Sequence, residues 1–312
     1  MGGKLDFLRV STAVASLCCV VMLGFWLRKK KVFNAEADGA LQWMLINLCT
    51  PCLIVDAFLS NSGLDRLSTL FLAPFMGGAT VLVGLALSFL ATRVLSLSRK
   101  ESGTFMACST FYNYAYIPIP LVMMFFDSHV MQMLFLFNVG MDTSLWSLGV
   151  MLLSGKGSLK GALSHVINAP FLAIVISIIV GSQCSVNPLP VAASRLVHMI
   201  GQATVPVALL VFGSIMRRHF SILFSPHQTC AVSVAVILRM ICIPICIVLL
   251  SMLPVSYELR TVLRIQAAMP SAVLPVVLAS QYGADVRLAL RIIAATSMLS
   301  LLSIPFWFSV LF

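Results

Sequence analysis

Two apolar stretches of the chain carry the residues that could do chemistry. The first contains Pro118 and Pro120, within one or two turns after Tyr112, Asn113 and Tyr114. Proline lacks a backbone N–H and its ring clashes with the carbonyl group one turn earlier, so two prolines at a spacing of two predict an interrupted helix. In a bilayer, interrupted backbone is tolerated where it lines a cavity or is buried in protein. The amide and hydroxyl groups beside this break could therefore bind a polar solute.

The second stretch contains Pro270 and Pro275 with Ser271 between them. A simple proline kink is the alternative for either stretch taken alone. Paired interrupted helices in corresponding places of two halves are, however, typical of transporter binding sites. The N-termini of the broken helices present free N–H groups and the positive end of the helix dipole, which favours an anionic solute.

Two charged residues, Asp142 and Arg239, fall near the middle of apolar stretches. A charge at this depth costs about 2.5–3.5 kcal/mol on insertion scales, so neither should face lipid unpaired. Three interpretations stay open at this point. The two residues could form a structural ion pair, Arg239 could be the counter-charge of an anion, or Asp142 could bind a proton or sodium ion.

No motif of an enzyme accompanies these residues. The sequence has no HExxH, no P-loop and no credible serine–histidine–aspartate set, and its histidines show no spacing typical of metal ligands. We therefore expect no enzyme activity, no metal site and no cofactor. Without a nucleotide site, any transport should be secondary or uncoupled.

The composition places these segments in a membrane. Hydrophobic residues make up 60% of the chain and charged residues 10%, and the mean hydropathy is +1.03. A soluble protein could not cover so much apolar surface with so few charges. The basic residues flank the apolar stretches instead of lining one face, which argues against nucleic-acid binding. The sequence thus predicts an all-α integral membrane protein in contact with the lipid bilayer.

Windows of about 20 apolar residues predict ten transmembrane spans. They lie near residues 7–27, 39–60, 68–92, 102–126, 129–153, 165–184, 192–216, 227–251, 258–282 and 286–310. The first span is expected to be retained, since no small-residue cleavage site follows it. The two broken stretches are spans four and nine, Asp142 lies in span five and Arg239 in span eight.

The distribution of lysine and arginine between alternate loops predicts the orientation. The richer set comprises Arg28, Lys29, Lys30, Lys31, Arg93, Arg99, Lys100, Lys156, Lys160, Arg217, Arg218 and Arg287. The poorer set comprises Lys4, Arg9, Arg66, Arg195 and Arg260. We expect the richer set to be cytoplasmic, which places both termini on the extracytoplasmic side.

The chain divides naturally into residues 1–155 and 156–312, each with five predicted spans. Pro51 and Pro206 are 155 residues apart, as are Pro120 and Pro275. An odd number of spans in each half would invert the second copy relative to the first, which is a common construction of secondary transporters. We therefore predict two inverted five-helix repeats.

At the same segments the sequence resembles the auxin efflux carrier family, the bacterial and short relatives of plant PIN-formed auxin exporters, within the bile acid, arsenite and riboflavin transporter superfamily. The resemblance covers most of the chain. It is carried by Ser109-Thr110-x-x-Asn113 with Ile119-Pro120-Leu121, by Met269-Pro270-x-x-Val273-x-Pro275, by Ala203 to Leu209, by Arg239 with Pro244, and by Pro51.

The resemblance implies a sodium/proton-antiporter-like fold in which broken helices four and nine cross and a substrate carboxylate sits at the crossing. It also implies an elevator-type carrier, with spans 1, 2, 6 and 7 as scaffold and spans 3–5 and 8–10 as transport domain. Carried over by position, Asn113 would contact the substrate and Pro120 and Pro275 would mark the crossover. Tyr112 and Tyr114 are bulkier than the corresponding plant residues, which points away from auxin.

The leading hypothesis is a secondary transporter of a small organic anion such as a carboxylate, in a bacterial inner membrane. Its substrate-binding residues would be Asn113, Tyr112, Tyr114, Pro118, Pro120, Pro270, Ser271, Pro275 and Arg239. The alternative is a proton- or sodium-coupled symporter or antiporter of the same fold that uses Asp142. A membrane sensor without transport is a remote alternative. The oligomeric state is left open, with a homodimer as one alternative.

Overall fold

The computed structural model describes residues 7–60, 67–155, 167–183, 187–218, 220 and 228–312, without the side chains of residues 67–69. Within these ranges the chain is helical, and its only β-type pairing is one isolated antiparallel bridge between Tyr112 and Ser271. The prediction of an all-α protein is confirmed for the part of the chain that is described.

Twelve helices follow one another along the described ranges. They are α1 (Phe7–Lys29), α2 (Ala35–Leu59), α3 (Leu67–Val94), α4 (Arg99–Thr110), α5 (Pro118–Phe125), α6 (Ser128–Ser154), α7 (Ala169–Gln183), α8 (Val191–Arg218), α9 (Thr229–Leu250), α10 (Tyr257–Ala267), α11 (Leu274–Tyr282) and α12 (Val286–Leu311).

Seven of these helices are long and apolar enough to cross a membrane: α1, α2, α3, α6, α8, α9 and α12. Helix α7 is apolar but shorter, with 15 residues. Predicted spans four and nine each appear as two shorter helices, α4 with α5 and α10 with α11, separated by non-helical residues. Helix is therefore present at all ten predicted spans, while the inverted-repeat relation between the halves stays a prediction.

Polar residues at the helix starts explain several boundaries. Ser98 caps α4 through the N–H of Glu101, whose carboxylate accepts from the Ser98 N–H in turn, so that two exposed donors are satisfied reciprocally. At α6 and α12 the cap is one-sided: Asp127 accepts from the Val130 N–H, and Asp285 accepts from the Leu288 N–H. Gly283 ends α11 with a φ of 66°, a left-handed conformation that glycine adopts without steric cost, so α11 and α12 are separate helices.

Two prolines inside the long helices are accommodated by local widening of the helical turn. Pro51 in α2 and Pro244 in α9 each follow a five-residue π-helical segment, Leu45–Cys49 and Leu238–Cys242. A π turn relieves the conflict between the proline ring and the preceding turn and leaves carbonyl groups free for other donors. The indole N–H of Trp307 uses one of them, donating to the Met240 carbonyl at 3.2 Å.

Two sets of helices pack mainly among themselves. In one set α1 lies along α8, and α2 lies against α7 and α8. In the other, α4 contacts α3, α6, α9, α11 and α12, and α10 contacts α6 and α9. Contacts of α1 with α12 and of α2 with α6 join the sets. The central buried core therefore surrounds α4 and α10, the two helices that end at the breaks.

Helices α3 and α6 approach to backbone contact at Gly140. A methyl group built on Gly140 would lie 1.8 Å from the Pro74 carbonyl oxygen, which is far inside van der Waals distance. Small residues let membrane helices pack this closely, because lipid supplies no hydrophobic force to hold them together and contact area must do so. The position of α6, which carries Asp142, depends on this contact.

We expect Gly140→Ala to lower the free energy of unfolding by about 1–3 kcal/mol, since the α3 backbone must move to admit the methyl group. Gly78→Ala is the matched control on α3, because its methyl group would meet only the Ser144 hydroxyl at 3.6 Å. Thermal unfolding of the purified variants in detergent measures both. A melting temperature of Gly140→Ala at or above that of the control would contradict the close packing.

Candidate functional site

The two helix breaks lie against each other in the middle of the fold. The first break separates α4 from α5 and the second separates α10 from α11. The Asn113 N–H donates to the Pro270 carbonyl at 2.8 Å, and the Ala272 N–H donates to the Phe111 carbonyl at 2.9 Å. Each break thus satisfies backbone groups of the other, which helical hydrogen bonding cannot do here.

The four prolines stand at the edges of the breaks. Pro118 and Pro120 lie in the first turn of α5, Pro275 lies in the first turn of α11, and Pro270 lies in the second break itself. The first turn of a helix tolerates proline because its N–H groups have no intrahelical acceptor. All four prolines are buried. Three of them lie in the turn that starts a helix, and Pro270 follows the end of α10.

Several buried polar atoms beside the bridge make no hydrogen bond within the described structure. They include the Asn113 Nδ2 group and the hydroxyl groups of Ser271 and Ser109. Asn113 is 3% exposed and the two serines are 0% exposed. Buried polar groups usually find partners, because an unsatisfied one costs about 1–3 kcal/mol. The two breaks bring Asn113 and Ser271 close together, and the donors of both side chains are left without a partner in the described structure. Their role as substrate ligands stays a prediction.

The Arg239 guanidinium binds the carboxyl end of α10. Its Nε donates to the Met269 carbonyl at 2.8 Å, and its Nη2 donates to the carbonyls of Gln266 at 3.1 Å and Ala267 at 3.3 Å. The last carbonyls of a helix lack intrahelical donors and carry the negative end of the helix dipole, so a cation there is stabilising. Arg239 is 0% exposed, and its Nη1 has no partner among the described residues.

Tyr112 joins Arg239 to the first break and to α3. The Arg239 Cζ lies 4.3 Å from the Tyr112 ring centroid, a cation–π distance. The Tyr112 hydroxyl lies 2.8 Å from the Thr80 hydroxyl oxygen, and the residue is fully buried. Both ends of the Tyr112 side chain are thus occupied by protein groups. It positions the bridge, whereas Asn113 next to it has a free donor.

A second cluster of hydrogen-bonded polar residues lies between α6 and the first break. The Tyr114 hydroxyl donates to Asp142 at 2.5 Å. The Tyr114 carbonyl accepts from the side-chain amides of Asn138 at 3.0 Å and Gln266 at 3.2 Å, and Gln266 also donates to the Asn138 side-chain oxygen at 3.3 Å. Asn138 and Gln266 were missed by the sequence interpretation, although amides in apolar spans are a signal in themselves.

Asp142 and Arg239 do not form an ion pair in the described part of the chain. Arg239 is bound to three carbonyl groups and a tyrosine ring, and Asp142 accepts the Tyr114 hydroxyl. The interpretation of the two charges as a structural pair is therefore wrong. The carbonyl end of α10 supplies the partial negative charge that stabilises the guanidinium. The sequence does not show this partner, because it is formed by backbone groups and not by an acidic side chain.

Tyr116 also lies in the first break, although it was not among the predicted substrate-binding residues. Its ring centroid is 6.4 Å from that of Phe212 on α8. It also packs against a small apolar cluster formed by Leu45 and Cys49 of α2 and Ala208 of α8. Tyr116 therefore connects the break with the set of helices that contains α2 and α8.

Comparison with known proteins shows which family the chain belongs to. A family model described as "Membrane transport protein" matches residues 9–160 and 150–308 of the chain. The chain belongs to this family. The match confirms the resemblance to auxin efflux carriers that the motifs in spans four and nine indicated.

Two curated relatives agree with this membership. An uncharacterised transporter of Methanothermobacter thermautotrophicus is 25% identical over 313 residues, covering 98% of this chain and 99% of the relative. An uncharacterised transporter of Saccharomyces cerevisiae is 21% identical over 114 residues, covering 36% of this chain and 27% of the relative. The protein is a membrane transporter of this family, and the family is one of transporters and not of enzymes.

Arg239 offers a direct test of the site's construction. We expect Arg239→Met to lower the free energy of unfolding by on the order of 3 kcal/mol, because three carbonyl groups at the end of α10 lose a charged donor. Arg239→Lys should lie between this variant and the natural protein, since an ammonium keeps the charge without the planar fork. Denaturant unfolding in detergent provides the measurement.

Arg264→Met is the matched control for Arg239→Met. Arg264 also lies near the end of α10, donates to a carbonyl, that of Leu311 at 2.9 Å, and approaches an aromatic ring, that of Phe312. It is outside the bridge, so its loss should cost about 1 kcal/mol or less. Equal destabilisation by the two methionine variants would show that Arg239 has no special place at the breaks.

Proposed function

We propose that this transporter carries a small organic anion, such as a mono- or dicarboxylate, bound where the two interrupted helices meet. The observation that carries the proposal is the set of unpartnered donors around the bridge: the Asn113 Nδ2, the Ser271 hydroxyl and the Nη1 of a fully buried Arg239. Amide, hydroxyl and guanidinium donors are the groups that recognise a carboxylate.

The electrostatics of the broken helices support an anion. The first turns of α5 and α11 begin next to the breaks, and each presents the positive end of its helix dipole there. In α5 this is a dipole effect alone, because Pro118 and Pro120 lack an N–H and the Ile119 and Leu121 N–H groups donate to the Ala115 and Ile117 carbonyls. The opposing negative end of α10 is already neutralised by Arg239. The Asp142 carboxylate is bound by the Tyr114 hydroxyl. The starts of α5 and α11 therefore favour an anion beside Asn113 and Ser271.

The way in which the helices pack supports an elevator-type carrier. Helices α1, α2, α7 and α8 would be the scaffold, and α3 to α6 with α9 to α12 would be the transport domain, in agreement with the two packing sets described above. The corresponding positions of the breaks support two inverted repeats, residues 1–155 and 156–312. We propose a bacterial inner membrane as the location, with both termini extracytoplasmic, and leave a homodimer as an open arrangement.

A cation-coupled carrier of the same fold is the second candidate. It is favoured by the hydrogen bond between Asp142 and Tyr114, because protonation of this carboxylate or sodium binding to it would change its contact with the first break and so affect the substrate site.

If Asp142 carries the coupling ion, flux of a transported carboxylate in proteoliposomes should follow an imposed proton or sodium gradient. Asp142→Asn should abolish that dependence while transport down the carboxylate's own gradient persists. Flux indifferent to both gradients in the natural protein would exclude this candidate.

The anion site is tested on the purified protein with a panel of mono- and dicarboxylates. A carboxylate that binds the folded form should raise the melting temperature, and its dissociation constant follows from the titration. Asn113→Ala removes one hydrogen bond to a charged group, which is about 1.5–3 kcal/mol or roughly a ten- to hundredfold loss of affinity. Asn113→Asp should bind more weakly still, because its carboxylate repels the ligand.

Asn47→Ala is the control for these variants. Asn47 lies on the exposed surface of α2, where its amide donates to the Trp43 carbonyl of the same helix. It should leave the affinity unchanged. A folded Asn113→Ala protein with the affinity of the natural chain would place the binding site elsewhere in the molecule.

A further inference from the structure

The ends of α1 and α8 bring six basic residues to one place on the surface. Helix α1 ends in Arg28 and Lys29 and is followed by Lys30 and Lys31, and α8 ends in Arg217 and Arg218. We call these six residues the basic cluster. They belong to the loops that the charge distribution predicts to be cytoplasmic, and they lie outside the site at the helix breaks.

Close packing of the two helices holds the cluster together. A methyl group built on Gly213 would lie 1.9 Å from the Val21 carbonyl oxygen, and one built on Gly24 would lie 2.2 Å from the Leu210 carbonyl oxygen. The backbones of α1 and α8 therefore touch one to two turns before their basic ends. The Arg217 Cζ lies 5.4 Å from the ring centroid of Phe25 on α1, so the two basic ends are adjacent.

The charge of the cluster is largely uncompensated. Asp38, 4% exposed, binds Arg28 at 2.7 Å and also accepts from the Ser214 hydroxyl. Glu36 in the first turn of α2 is the other acidic residue next to the cluster in sequence. Six positive and two negative charges leave an excess of four. Of the six residues in the basic cluster, Arg28 is the one that takes part in an ion pair among those described. The exposed residues of the cluster are Lys29, Lys30, Lys31 and Arg218.

The apolar surface beside the cluster indicates what kind of anion it would bind. Met22, Leu23 and Trp26 on α1 are 62%, 49% and 50% exposed, and the Lys30 ammonium lies 5.8 Å from the Trp26 ring centroid. In a membrane protein such residues face acyl chains, and tryptophan marks the headgroup level. A ligand with phosphate on one end and acyl chains on the other fits this junction of basic and apolar surface better than a soluble anion does.

We propose that the basic cluster is a binding site for an anionic phospholipid that carries two phosphate groups. The phosphates would bind Lys29, Lys30, Lys31 and Arg218, and the acyl chains would lie along the exposed side chains of α1. Clusters of lysine and arginine directly after a transmembrane helix attract anionic headgroups, and an excess of four charges matches a doubly charged headgroup better than a singly charged one. The site is independent of the nature of the transported solute.

The test uses the full chain purified in an uncharged detergent. Its thermal unfolding is followed during titration with diphosphatidylglycerol, phosphatidylglycerol and phosphatidylcholine, and with inorganic pyrophosphate as a soluble diphosphate. We expect stabilisation by diphosphatidylglycerol, a smaller effect of phosphatidylglycerol and none of phosphatidylcholine. Replacing the three lysines together, Lys29→Gln, Lys30→Gln and Lys31→Gln, should weaken the apparent affinity for diphosphatidylglycerol by about a hundredfold.

The matched control removes three basic charges from another loop of the same predicted side, with Arg93→Gln, Arg99→Gln and Lys100→Gln. It should keep the lipid affinity of the natural chain. Equal losses in the two triple variants, or equal stabilisation by phosphatidylcholine, would overturn the proposal. Pyrophosphate as effective as the lipid would also overturn it, in favour of a soluble polyanion. If the lysine variant has a lower melting temperature than the natural chain without lipid, the two proteins are compared by the increase in melting temperature that the lipid causes in each.

Discussion

Every backbone N–H and C=O group inside a bilayer needs a partner within the protein, and the centre of this transporter is built around that constraint. Where α4 and α10 end, neither break can satisfy itself. Two hydrogen bonds between the breaks and the Arg239 fork on the end of α10 supply the missing partners. The arrangement of α9, α6 and α3 follows from it, because Arg239, Asn138 and Thr80 must all reach the same few residues.

The same constraint separates residues that hold the site from residues that are free to bind. Tyr112 is occupied by protein partners, and so is Arg239 except at its Nη1. Asn113 and Ser271, by contrast, have buried polar atoms with no hydrogen-bond partner within the described structure. Tyr114 belongs with the residues that hold the site, since its carbonyl and its hydroxyl are both bound to protein neighbours. A list of polar residues near a break therefore overestimates the number of side chains that keep a polar atom without a protein partner.

Local chemistry explains which features the sequence could predict. Paired prolines predict interruptions because their effect is confined to one turn, and apolar windows predict helices because their length is set by the bilayer. The partners of Arg239 could not be predicted, since they are carbonyl groups 27 to 30 residues away whose availability depends on where α10 ends. Asn138 and Gln266 were missed for the same reason: they meet across 128 residues, and only the fold brings them together.

The bridge between Tyr112 and Ser271 is antiparallel, and this polarity bears on how such a protein could arise. A chain of half the length, with one interrupted helix, would leave the groups of its break unpaired in lipid. Two copies in opposite orientation would restore the pairing, because opposed directions are what an antiparallel bridge requires. If residues 1–155 and 156–312 are inverted repeats, as proposed above, a half-length ancestor would have been stable only as an oppositely inserted pair. Joining the two copies in one chain would have made that dual topology permanent.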